Sequence, residues 1–145
     1  MPERETIERA QEDAREGKAP TTQAGEFVRE EIHHVREGKH GARSPQQAVA
    51  IGLSKARRAG VKLGAPKGRA SLRKKAKRDL EAGKKPHRKT SRTRSRAVSG
   101  ALKREARSSA SRKSVSRQAK QSAAKRGKRA RSAAAQKAVR TKKAA

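Results

Sequence analysis

Few residues of this chain could do acid–base or metal chemistry, and three of its four histidines, His33, His34 and His40, fall within one eight-residue stretch. Glu30 precedes His34 by four positions and Glu37 follows His33 by four. Neighbouring side chains on a helix diverge by about 100°, so His33 and His34 cannot both face one ion from regular helical geometry. Nor does the spacing match the paired histidines of a metalloprotease helix. The expectation is therefore two surface pairs, Glu30–His34 and His33–Glu37, with His40 in a connection, and neither a metal nor a cofactor. The absence of cysteine removes disulfides and thiolate sites. Asp13 and Asp79 are the only aspartates, and no nucleophile, base and orienting group fall into a catalytic arrangement. "GLSKARRAG", residues 52–60, lacks the Gly-Lys-Ser/Thr ending that holds phosphate and magnesium. An enzyme is not expected.

The elements that would carry these residues are helical. Residues 2–16 contain good helix formers but one large apolar side chain, Ile7, and predict a solvated, marginal helix within an acidic segment 1–22. Pro20, Thr21 and Thr22 read as a break. From about Gln23 to Glu37, Val28, Ile32 and Val35 fall at i, i+4 and i+7 with Phe27 beside them, forming one apolar stripe. In "SPQQ", residues 44–47, Ser44 can cap the Gln47 N–H, the Gln47 side chain can reach back to Ser44, and Pro45 suits the first helical position. A second helix should run to Ala59 and stop at Gly60. Together these two predict a helical hairpin over residues 23–63, with Val61 and Leu63 closing its open end. A core so small suggests a homodimer or a protein partner held through the face Phe27, Val28, Ile32 and Val35.

Only sixteen residues beyond Met1 are Val, Ile, Leu or Phe, and ten of them precede residue 64. Charge is equally uneven. Residues 1–40 carry ten acidic and seven basic groups, while from Gly64 onward thirty basic groups face three acidic ones, a net +27. A segment of this kind repels itself and cannot offset the entropy lost on folding. The expected organisation is a mostly α chain: the hairpin, a linker over 64–71, and a basic Lys/Arg/Ala/Ser-rich tail over 72–145 that is disordered until nucleic acid lets it turn helical. "SLRKKAKRDLEAGKKP" would supply one basic helix, ended by Gly83 and Pro86. No apolar run reaches the roughly 20 residues that span a bilayer, and the start is unlike a secretory signal.

Thirty basic residues in that segment would neutralise phosphates whatever the base sequence. The groups expected to bind phosphate are Arg57 and Arg58, just before that segment, and within it Lys74, Lys75, Lys77, Arg78, Lys103, Arg104, Arg107, Lys125, Arg126, Lys128 and Arg129. With no Trp or Tyr and a single Phe there is no stacking platform for unpaired bases, which favours duplex DNA or structured RNA. A helix-turn-helix reading, with Gln46, Gln47, Lys55, Arg57 and Arg58 against DNA, is weakened because both glutamines are explained by the helix start. The acidic segment from Glu3 to Glu16 could fold back on the basic arm and compete with nucleic acid.

"TQAGEFVREEIHHVREGKHGARSPQQAVAIGLSKARRAGVKL", residues 22–63, resembles the signature of a family of small, basic bacterial proteins, sometimes labelled plasmid stabilisation or DNA-binding proteins. "MPERETIERAQEDAREGKAPTTQ" and the tail piece "SRAVSGALKREARSSAS" are similar to that family too. The resemblance implies a bacterial, cytoplasmic protein associated with DNA in the nucleoid or on plasmids, and brings no catalytic residues. The tail also resembles histone-like tails. Two alternatives stand beside sequence-nonspecific DNA binding: a plasmid-maintenance interaction module working through the hairpin, and an RNA- or ribosome-associated basic protein.

Overall fold

Ser44 begins the central helix as its sequence requires: its hydroxyl accepts the Gln47 N–H at 3.2 Å, with Pro45 in the first turn. The Gln47 side chain, however, reaches one residue past Ser44 and accepts from the Arg43 N–H at 2.7 Å. In a computed structural model that describes residues 2–85 and 91–144, the elements are α1 (Arg4–Arg15), α2 (Pro20–Glu37), α3 (Pro45–Arg58), α4 (Ala70–Gly83) and α5 (Arg92–Lys103). A 3₁₀ turn (Arg107–Ala110) and α6 (Arg112–Ala144) complete the chain, with α6 broken at Gly127. No strand occurs among the described residues.

Helix α2 is longer than its apolar stripe suggests, because Pro20 opens it in the first turn and is not a break. It ends at Gly38, whose φ of 80° places it in the left-handed region, with Gly38 N–H bonded to Val35 O and Lys39 N–H to His34 O. Glycine adopts that conformation without strain, and the paired bonds satisfy two carbonyls that the helix end would orphan. The same closure recurs at Gly60 after α3, through bonds to Arg57 O and Ala56 O.

The two helices form the expected hairpin, and Gly52 sets how closely they cross: a Cβ there would lie 2.7 Å from the Val28 Cα. One apolar cluster gathers Ala10 of α1, Ala24 and Phe27 of α2, Ala56 of α3, and Val61 and Leu63 beyond it. Helix α1 is therefore packed rather than merely solvated, with Thr6 and Ala10 buried and Ile7 against the cluster. A second cluster joins Val35, Ala42, Ala48 and Ala110, with Ile32 beside it.

Ala110 belongs to the segment expected to be disordered, and its burial shows where that expectation fails. Residues 102–110 return to the connection between α2 and α3, where Gly41 N–H donates to Leu102 O at 2.8 Å, Ala42 N–H to Ala106 O at 3.2 Å, and Arg36 Nε to Ala110 O at 2.8 Å. Gly41 has room for no side chain there, since a Cβ would collide with the Glu105 carbonyl. Helix α4 docks on α3 through Asp79, which accepts from Ser54 Oγ at 2.7 Å and from Arg58 Nε at 2.9 Å. The chain is mostly α, as expected, but a hairpin with a structureless tail does not describe it. Ala, Lys, Arg and Gln are strong helix formers, and that intrinsic preference prevails along α5 and α6, neither of which has a buried residue. Pro86, expected to end the basic helix, lies outside the described residues; α4 ends at Gly83.

Candidate nucleic-acid interface and a buried carboxylate–histidine cluster

The exposed cationic surface is assembled from α4, the α5 end and α6. Lys74, Lys75, Lys77 and Arg78 are exposed on α4, as are Lys103, Arg104 and Arg107 around the returning segment. Lys125, Arg126, Lys128 and Arg129 flank the Gly127 break, exposed on every side. Few acids temper this surface: Asp79 is buried in its contact with α3, Glu81 pairs with Lys84, and Glu105 lies 3.6 Å from Arg43. The Glu81 carboxyl is held below the usual carboxylate range, first by the hydrogen bond from Lys84 and then by its charge.

Two expected phosphate-binding residues are placed otherwise. Arg57 is buried, with Nη1 3.5 Å from Leu53 O, and Arg58, though exposed, is tied to Asp79. Lys55 turns inward to Glu31 at 2.8 Å. Two of the three cations at the C-terminal end of α3 thus face into the fold, and the third is paired with α4.

The apolar partner face is likewise spent largely within the chain: Phe27 and Val35 are buried in the two clusters. Val28 and Ile32 are half-buried and line an open groove of about 610 Å³ with Thr6, Arg9, Arg36 and Val115. Acids in and beside α1 instead meet nearby cations. Among the described residues Glu3 pairs with Lys39 and His34, Glu5 and Glu8 with Arg9 and Arg4, and Asp13 and Glu16 with Lys18.

Beneath the hairpin connection lies a cluster that spacing along one helix did not reveal. Glu30 and Glu31 of α2 are buried, and Glu31 is fully so. His34 Nε2 lies 2.8 Å from Glu3 Oε1 and 3.9 Å from Glu30 Oε1, while His40 Nε2 lies 3.3 Å from Glu31 Oε1. The His34 and His40 rings meet edge to face, 6.2 Å between centroids. The Glu3 carboxyl is pulled down to about 2, chiefly by the hydrogen bond from His34 and then by that from Lys39. His33 alone keeps its expected surface pairing, with Glu37 at 2.8 Å. The turn at Gly38 is what folds His40 back over His34; that glycine was the available signal, visible only if the chain is followed past the helix end.

No protein-family model, curated protein or solved structure matches this chain. The fold is a small helical bundle carrying an exposed basic helical arm. Among the described residues no helix is long and apolar enough to cross a membrane.

Proposed function

We propose that this protein binds duplex DNA without sequence preference, on the nucleoid or on plasmids, through the exposed cations of α4, the residue 103–107 region and α6. The observation that carries this reading is the +27 net charge of residues 64–145, where thirty basic groups meet three acids. Such a surface binds by releasing condensed counterions, so affinity falls steeply with salt and base identity matters little. Helices studded with Lys and Arg can lie along a groove or across phosphates, and the lack of Trp and Tyr leaves no stacking surface for single strands. The test is equilibrium binding to duplex DNA, duplex RNA and single-stranded DNA across a salt series. Preference for RNA would redirect the reading toward ribosomes.

One observation favours a protein partner as a second reading: Val28 and Ile32 remain half-exposed in the groove beside Val115. A nuclease-resistant pull-down lost on Val28→Asp and Ile32→Asp would support it.

A further inference from the structure

Glu31 is the most deeply buried charged side chain of the head, 0 % exposed, and neither of its carboxylate oxygens receives a properly aligned hydrogen bond. Oε2 is offset by Lys55 at 2.8 Å, which leaves Oε1 facing His40 Nε2 at 3.3 Å. The tautomer of His40 follows from its other nitrogen: Nδ1 lies 3.0 Å from Gly41 O, and because a carbonyl can only accept, Nδ1 carries the proton. In the neutral ring Nε2 is then a lone pair directed at a carboxylate oxygen. Two acceptors are held together in a buried site only with a proton or a metal cation between them. The charges point the same way, since Glu30 and Glu31 are both buried while Lys55 supplies one positive charge between them, at 4.0 and 2.8 Å.

We propose that Glu31, His34 and His40 form a binding site for a divalent transition-metal ion of the Zn²⁺ class, pinning the α2–α3 connection to the body of α2. Ligand atoms of these three residues lie within 4.8 Å of one another, two of the residues are buried, and an ion taken by His34 Nε2 would displace the Glu3 carboxylate that now meets that atom at 2.8 Å. Metal–ligand bonds of about 2.0–2.1 Å in a tetrahedral site put neighbouring ligand atoms roughly 3.3 Å apart, the separation found between His40 Nε2 and Glu31 Oε1. The outer groups suit the role. Gly41 O fixes the His40 ring with Nε2 free to ligate, and Lys55 holds the Glu31 oxygen the ion does not use. Two histidines and one carboxylate leave a fourth position for water.

The site is independent of nucleic-acid binding and is tested without it. Full-length protein, stripped with chelator and dialysed, would be titrated with Co²⁺ and with Zn²⁺, followed by visible absorption and thermal melting. One equivalent should bind, Co²⁺ should give the visible bands of a low-coordinate nitrogen–oxygen site, and Zn²⁺ should raise the Tm. His40→Ala, which removes a largely covered ring outside the helices, should lose the Co²⁺ bands and weaken Zn²⁺ binding by more than about 100-fold, beyond what outer-shell changes alone produce. Glu31→Gln should do the same if it folds, as its helical circular dichroism would report. His33→Ala, which alters only the surface pair with Glu37, should bind unchanged. The proposal is overturned if Zn²⁺ leaves the Tm of the stripped protein unmoved, as it would if a proton on His40 already occupies the gap. Binding that survives His40→Ala but disappears with His33→Ala would overturn it equally.

Discussion

Gly52 is where the hairpin tolerates least change. A Cβ at that position would stand 2.7 Å from the Val28 Cα and 2.9 Å from the Phe27 carbonyl oxygen, both backbone atoms that cannot rotate aside. Gly52→Leu should therefore destabilise the head by about 1–3 kcal/mol, the usual cost of overpacking, and lower its Tm. Asp79 is the second sensitive position, since one buried carboxylate accepts from both Ser54 and Arg58 of α3. Asp79→Ala should cost about 1.5–3 kcal/mol, the range for hydrogen bonds to a charged group, read from denaturant melts. The Ser44 cap and the Gly38 and Gly60 stops could be read from residue types because such closures are local. The convergence of His34 with His40 could not, because it depends on the direction in which the chain leaves a left-handed glycine. Arg57 was misplaced for a related reason: charge alone does not say which way a side chain on a crowded helix points.

Among the elements, α2 and α3 declared themselves through apolar periodicity, whereas α1 was legible as a helix but not as a packed one, because one isoleucine among charges hides contacts made mainly through Thr6 and Ala10. The returning segment 102–110 is the least visible element. Its docking uses backbone bonds to Gly41 and Ala42 and the small Ala110, none of which leaves a hydrophobic pattern. Gly41→Val should expel it, and amide hydrogen exchange should then quicken at residues 102–110 while the protection of α1 is retained. Helices α5 and α6 were expected to be coil because repulsion and lack of burial were weighed above intrinsic propensity. Like charges still oppose α6 locally, as at Lys113 and Arg117, four residues apart. Raising salt, or adding duplex DNA, should accordingly increase the helical circular dichroism signal.

For the molecule as a whole, the division of labour follows charge. The head matches its acids to its own cations, through Arg4, Arg9, Lys18 and Lys39, whereas α6 carries thirteen basic residues and no acid. Removing residues 112–145 is consequently the cleanest way to separate folding from binding, since a cut at residue 64 would also take α4 and the docked segment. The most direct measurement is the affinity of the full-length chain and of the chain ending at Ser111 for duplex DNA across a salt series. For the full chain, log affinity should fall linearly with log salt, with a slope of about −0.9 per phosphate contacted, and the shortened chain should bind far more weakly with a visibly shallower slope. A full-length chain that ignores duplex DNA at low salt, or a truncation that leaves both affinity and slope unchanged, would contradict the proposed function.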